Sequence, residues 1–289
     1  MIHINVKRIP HNDIKPLIDA ANAAQKEIND EKDPAKRKKL IEAHRPKWVA
    51  FRQAFEGLSS RKCWYTESKN PGTDDDVDHY RPKGRIAEDK KHGGYYWKAL
   101  DWTNFRLSCH RANRLRENPT TKKAHGKADH FPLLDPDKRA RDPAASLDDE
   151  HPLLLDPCDP FDPPKLTFNT DGTVAVAPKY ESDQVVVKQV EASRVHLHLD
   201  WPAFVDDRTQ LYNQVIFKIE EGKQHAELTE KGDKGSRLAL KSIATDLADM
   251  AREDKPYSAA VTAYISIYRE IWWVRDIVLK IPPTAQGAA

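Results

Sequence analysis

Asp76-Val77-Asp78-His79-Tyr80-Arg81-Pro82-Lys83 and, after an intervening loop, Asn104-Phe105-Arg106-Leu107-Ser108-Cys109-His110-Arg111-Ala112-Asn113 are the segments that decide how this chain is read. The first is a short strand that ends on a carboxylate beside an imidazole, Asp78 and His79. Pro82 closes it, because proline offers no N–H to a ladder. The second opens on an asparagine and alternates, with Phe105, Leu107 and Cys109 on one side. It then runs into a basic stretch suited to a helix. Strand, connection, strand and helix make a ββα unit. Asp78 and Asn113 offer two hard oxygen ligands, which suit Mg²⁺ or Mn²⁺ when phosphate and water complete the shell. His79 is a base near neutral pH, placed to deprotonate an attacking water.

The charge around this unit points to an anionic partner. The whole chain of 289 residues has a formal net charge of only +2. Between residues 79 and 127, however, 13 Lys/Arg stand against four Asp/Glu. Just before them, Asp74, Asp75, Asp76 and Asp78 form an acidic knot. A basic stretch around a carboxylate cluster fits a metal site that receives a phosphodiester. Taken alone it would be an ordinary solvated surface; His79 and Asn113 tip the balance. Arg81, Lys83, Arg111 and Arg114 are the candidates to hold substrate.

Working outward, residues 1–62 read as helical. Leu17, Ile18, Ala21, Ala24 and Ile28 share one face, and Asp33-Pro34 is a good N-cap and first-residue pair for a second helix. Pro46 kinks or restarts it, and Trp48, Phe51, Phe55 and Leu58 form an apolar stripe suited to a core. In the insert 84–100, Tyr95, Tyr96 and Trp97 follow a flexible basic loop; packing is the more common role for such a cluster than base stacking. Arg114, Arg116, Lys122, Lys123 and Lys127 are in line to meet phosphate, and His125 and His130 read as surface or loop histidines. Eight prolines between 132 and 164 predict a wrapping connection rather than regular structure. Residues 166–177 predict a hairpin, with Asp171-Gly172 at the turn. From about 184 the pattern is helical: 185–197, 203–221, 236–252, and a last helix from Ser258 whose end, Trp272 to Leu279, is unusually apolar. The expected fold class is α+β, mostly α, with the ββα core set among helical flanks. Its divisions are 1–62 (helical), 63–135 (ββα core), 136–180 (Pro-rich connection and hairpin) and 181–289 (helical).

Composition bounds the rest. A hydrophobic content of 39% and a mean hydropathy of -0.77 describe a polar chain. It carries neither an apolar run of membrane-spanning length nor a signal-peptide core. Three cysteines without framework spacing suit a reducing cytoplasm.

The two segments together resemble the HNH (ββα-metal) nucleases, specifically those with Asn in the last motif position. That resemblance implies His79 as general base, Asp78 and Asn113 as ligands of one Mg²⁺ or Mn²⁺, and Asn104 as the middle catalytic-motif residue that orients loop and base. Further likeness lies in Cys63-Trp64-Tyr65-Thr66-Glu67, Asp101-Trp102-Thr103-Asn104, Phe131-Pro132-Leu133, Leu154-Leu155-Asp156-Pro157-Cys158 and Phe168-Asn169-Thr170-Asp171-Gly172. These are similar to the HNH subunit of Septu-type and related retron-associated anti-phage systems. By resemblance the partner is an ABC-like ATPase in a hetero-oligomer, since this chain lacks a Walker motif. Many such relatives carry two Cys-x-x-Cys pairs that hold a structural zinc. Here Cys63 and Cys109 remain, and Thr66 and Ala112 stand in the second positions. Two thiolates do not complete a tetrahedral site, so a structural zinc is not expected there. The expectation is a metal-dependent endonuclease, DNA favoured, acting in anti-phage defence. An RNA nuclease acting on transfer RNA, or a non-catalytic nucleic-acid-binding scaffold subunit, are the alternatives.

Overall fold

A computed structural model describes residues 1–70, 72–120 and 122–279. The fold is α+β and mostly helical, with its strands in three separate two-stranded ladders.

Four helices open the chain: α1 (His11–Asp30), α2 (Pro34–Ala43), α3 (Arg45–Val49) and α4 (Arg52–Ser59). Asp33 caps α2, its Oδ1 accepting the Ala35 and Lys36 N–H groups at 2.7 and 3.2 Å, and Pro46 falls in the first turn of α3. The expected apolar faces are the buried ones: Ala21, Ala24 and Ile28 on α1, then Trp48, Phe51 and Phe55. Phe51 meets Phe105 edge-on at 5.6 Å, and Phe55 lies 4.9 Å from Trp64. These helices are therefore the wall against which the next unit rests.

That unit is β1 (Asp76–His79) paired antiparallel with β2 (Phe105–Ser108), followed by the one-turn helix α5 (His110–Asn113). The register sets Val77 opposite Leu107 and His79 opposite Phe105. Because side chains alternate along a strand, these four share the face turned to the core. Asp76 and Asp78 take the other face with Arg106 and Ser108. The basic segment after β2 sustains only a single helical turn. It continues into a short ladder, β3 (Arg116–Glu117) with β4 (Ala124–His125).

The 80–104 connection builds a second, smaller core in which Tyr80, Ile86, Tyr95 and Trp97 pack with Phe131, Leu133, Ala140 and Leu154. Tyr95 and Trp97 are thus packing groups. The Pro-rich stretch wraps this core in turns and short 3-10 segments. The predicted hairpin is β5 (Leu166–Phe168) with β6 (Val174–Val176).

The remainder is helical: α6 (Gln184–His196), α7 (Pro202–Glu230), α8 (Lys234–Met250), α9 (Ser258–Ser266) and α10 (Trp272–Val278). Two sequence expectations are corrected here. The second of these helices runs on to Glu230, and the last predicted helix is broken in two around residues 267–271. Just past the break the Trp273 indole is seated against α7. It lies on Gly222 of α7 so closely that an added Cβ there would come within 2.3 Å of the ring. The turn buries Trp273, Val274 and Ile277, and leaves Trp272 and Leu279 exposed. The sequence-predicted helical region 181–289 ends in residues 280–289, which lie outside the described residues. One apolar cluster joins the N-terminal helices, β1 and β2, the β5–β6 hairpin and α6–α10. Among the described residues no helix is long and apolar enough to cross a membrane.

Candidate active site

A cleft of about 1050 Å³ opens between α2, the 82–94 loop, α5 and the 128–129 segment, and Asp78, His79 and Asn113 all line it. Its walls carry Arg37, Lys38, Lys83, Arg85, Lys91, Arg114 and Arg141 against Glu42, Asp78 and Asp129. The cleft is thus basic, with its carboxylate and imidazole at the end of β1.

His79 is buried between aromatic edges, 5.1 Å from the Trp48 ring and 5.0 Å from the Phe105 ring. Its Nε2 is 2.7 Å from the Ala99 carbonyl oxygen. A carbonyl only accepts, so Nε2 carries the proton and the lone pair of the neutral ring is on Nδ1. Burial, reinforced by the nearby charge of Lys83, holds the His79 pKa well below the usual imidazole value. The ring is therefore neutral at pH 7 and able to accept a proton. The carbonyl that anchors it is itself held: α1 supplies Gln25, whose Oε1 accepts the Leu100 N–H at 2.7 Å and whose Nε2 donates to Tyr96 O at 3.1 Å.

Asn104 is buried and faces backbone. Its Oδ1 accepts the Arg81 N–H at 2.8 Å, and its Nδ2 donates to Arg81 O and Lys98 O at 3.0 and 3.2 Å. These bonds staple Arg81 and Lys98, at the two sides of the connection, to Asn104.

Asp78 sits among donors. Tyr65 donates its hydroxyl to Oδ2 at 2.9 Å, and the Lys127 ammonium reaches Oδ1 at 3.1 Å and the His79 carbonyl oxygen at 2.5 Å. Lys127 is fully buried. By sequence it is in line to meet phosphate; in the structure it is an internal counter-ion to Asp78. Asn113 donates Nδ2 to Asp76 Oδ2 at 3.0 Å, which leaves its Oδ1 as the group available to a cation. Asp76 lies on the same strand face as Asp78 and also meets Arg114 at 3.2 Å and His110 at 3.4 Å. Burial works to raise its pKa, but the Arg114 and Asn113 hydrogen bonds outweigh it and keep the carboxyl below its usual range. Asp76 belongs to the acidic knot of the sequence but is not singled out there, although its i, i+2 spacing from Asp78 is a readable signal.

The proposed substrate contacts divide. Lys83 and Arg114 line the cleft, and burial depresses the Lys83 pKa. Arg81 and Arg111 do not line it. Arg81 is tied through Nε to the buried Glu150 at 2.9 Å, and Glu150 also accepts from Tyr95 at 2.6 Å. Arg111 stacks over Trp201, 4.7 Å from the ring centre. Arg37, Lys38 and Arg141 take their place in the cleft, from elements too distant in sequence to be associated with it.

Comparison with known proteins bears on this same chain. No family profile and no solved structure matches it. Over 130 residues it is 30% identical to Septu protein PtuB of Bacillus mycoides (strain KBAB4). The chain is similar to PtuB. The alignment covers 43% of this chain and 40% of that protein, so the chain spans about two fifths of the length of the curated relative.

Beside the cleft, Cys63 and Cys109 are buried free thiols, with Thr66 Oγ1 3.8 Å from the Cys109 sulfur. Burial pushes the Cys63 thiol up, while its hydrogen bond draws the Cys109 thiol down to about 7. Trp64 and Tyr65 pack in the same core cluster as the two cysteines.

A second group of polar side chains lies outside the cleft. Ligand atoms of Glu88, His130 and His196 fall within 4.8 Å of one another. The sequence reading treated His130 as a surface or loop histidine; its ring is stacked on His196 at 4.3 Å. Burial, together with the neighbouring His130, lowers the His196 pKa to about 4.

Proposed function

We propose that this chain is a metal-dependent endonuclease of the HNH type, the effector subunit of an anti-phage defence complex, with DNA as the favoured substrate. One observation carries the reading: a carboxylate, a neutral imidazole and an amide oxygen line a single basic cleft. The similarity to a Septu protein supports the defence assignment.

The donor set fits a hard divalent ion. Asp78 has lone pairs beyond those used by Tyr65 and Lys127, Asn113 has its Oδ1, and Asp76 adds negative charge alongside. Asp78 and Asn113 would hold Mg²⁺ or Mn²⁺, which supplies electrophilic polarisation of the phosphate and charge neutralisation at the leaving oxygen. His79, its Nε2–H fixed on Ala99, takes a proton from the attacking water at Nδ1. Asn104 keeps the loop that carries this geometry closed. Lys83, Arg114, Lys38 and Arg141 bind the flanking phosphates. Tyr65 and Lys127 hold the Asp78 carboxylate in place.

An ABC-like ATPase is the proposed partner, and restraint by that partner would protect the host from the nuclease. Exposed apolar side chains on the C-terminal helices, Phe217, Leu238 and Trp272, support a protein contact there. A second reading, a nucleic-acid-binding subunit without catalysis, draws on the Lys127 ammonium against both Asp78 oxygens. Incubating the purified chain, alone and with its partner, with Mg²⁺ or Mn²⁺ and either plasmid or total tRNA separates these readings. Metal-dependent plasmid cleavage that is lost in His79→Ala supports the nuclease on DNA, cleavage of tRNA alone moves the substrate to RNA, and binding without cleavage supports the scaffold. Full activity of the isolated chain on host DNA would overturn the proposed restraint.

A further inference from the structure

We propose that Glu88, His130 and His196 form a second metal site, for a borderline transition ion of the zinc type, where the 126–131 loop meets the end of α6. None of the three lines the cleft that holds Asp78, and the proposal does not depend on the nuclease reading.

The three ligand groups come from three separate segments and converge within 4.8 Å. Glu88 is held for the purpose. Its Oε1 is 2.7 Å from His130 Nδ1, and its Oε2 accepts the Phe131 N–H at 2.9 Å. A hydrogen bond from His130 to Glu88 would account for that contact alone. It would not account for His196, whose Nδ1 is buried with no hydrogen-bond partner among the described residues. Buried imidazole nitrogens ordinarily find partners, and this orphan, on a ring that lies in the group, points to a missing one.

The donor chemistry selects the ion. Two imidazoles and one carboxylate suit zinc and its first-row neighbours, and such a set leaves a position open for water. An all-oxygen shell, which Mg²⁺ prefers, is not on offer. Tetrahedral ligands at about 2.0–2.1 Å stand about 3.3 Å apart, so binding would bring the most distant pair closer by up to about 1.5 Å and ease apart Glu88 and His130, now 2.7 Å from each other.

An ion there would tie three strands of chain together. The 85–89 and 126–131 segments are already laced by the Ala87 N–H to Asp129 O bond at 3.0 Å and by the Glu88 contacts. His196 would add α6 to them. The 126–131 loop is the one that delivers Lys127 to Asp78, so occupancy would stiffen one side of the candidate active site from outside it.

The test uses the full chain, stripped of metal, titrated with Co²⁺ and then with Zn²⁺. In excess Mg²⁺, which competes for the oxygen ligands Asp78 and Asn113, the expected result is one Co²⁺ per chain, with visible ligand-field bands, no thiolate charge-transfer band, and displacement by Zn²⁺. His130→Gln and His196→Gln should each weaken binding by more than about 100-fold, beyond the range for outer-shell partners of such sites. Asp78→Asn should leave it unchanged. Circular dichroism establishes that each variant is folded; should His196→Gln fail to fold, the half-buried His130 decides. Absence of binding up to about 100 μM, retention of affinity in the His130 variant, a thiolate band, or loss of binding in Asp78→Asn would each overturn the proposal.

Discussion

An imidazole wedged between Trp48 and Phe105, with one nitrogen committed to a backbone carbonyl, has a narrow range of chemistry open to it. Its neutral form is the one that accepts a proton, and its pKa is depressed by burial and by Lys83. The metal-dependent rate should therefore stay level as pH falls through 6.5 and drop only well below it. A profile that breaks at 6.5 and keeps that break in a His79 variant with residual activity would mean that another group is the base. Asn104→Ala removes three hydrogen bonds to loop backbone, at about 1 kcal/mol each and more where a buried group is orphaned. Chemical denaturation should show a loss of about 2–4 kcal/mol, with kcat reduced but the shape of the pH profile unchanged. Lys127→Met strips the buried Asp78 of its counter-ion, a change worth about 3–5 kcal/mol. If Asp78 is a metal ligand, Mn²⁺ should restore more melting temperature to this variant than it adds to the wild type. Equal Mn²⁺ effects in the two proteins would argue against that role. At this scale, the sequence could show Asp78, His79 and Asn113 because they are local to one strand–strand–helix order. It could not show that Arg81 belongs to Glu150, 69 residues away, or that Lys127 crosses 49 residues to Asp78. Spacing carries no information about such long-range partners.

The elements themselves were legible wherever local chemistry decided them. The period of Ala21, Ala24 and Ile28, the Asp33-Pro34 start and the Asp171-Gly172 turn each specify their structure without help from the rest of the chain. Elsewhere the sequence misled: nothing between Ile267 and Ile271 is a helix breaker, yet the chain turns there, and just beyond it Trp273 packs on Gly222. Gly222→Ala should cost about 1–3 kcal/mol, the range for overpacking, and lower the melting temperature without affecting catalysis. A neutral result would mean that the indole is not closely seated. Gly126 is the corresponding element-scale control near the cleft. It has φ +126°, and a Cβ there would lie 2.2 Å from the Arg114 carbonyl oxygen. The crossing it permits is sealed by Lys127 N–H to Ala112 O at 2.8 Å and Ala128 N–H to Asn113 O at 2.7 Å. Gly126→Ala should destabilise by more than about 1 kcal/mol and reduce activity as well, since the same crossing delivers Lys127.

Across the whole molecule, a near-neutral net charge conceals a strong local asymmetry. The cleft gathers Arg37 and Lys38 from the N-terminal helices and Arg141 from the Pro-rich connection around a unit that is itself basic. Nucleic-acid affinity should fall steeply between 50 and 200 mM salt, by counter-ion release. Arg141→Ala should weaken binding across sequences and reduce the salt slope by about one phosphate contact; an unchanged slope would place substrate elsewhere. The small strand–strand–helix unit is part of an apolar cluster that runs from α1 to α10, with Trp48 of α3 packed on His79. The most direct measurement is plasmid cleavage by the purified protein, with its partner present, in Mn²⁺ and in chelator, for wild type, Asp78→Ala and His79→Ala. Cleavage by the wild type only with the divalent ion, and a fall of at least about 100-fold in both variants, is the predicted result. Cleavage in chelator, or a His79→Ala variant that cuts at the wild-type rate, would contradict it.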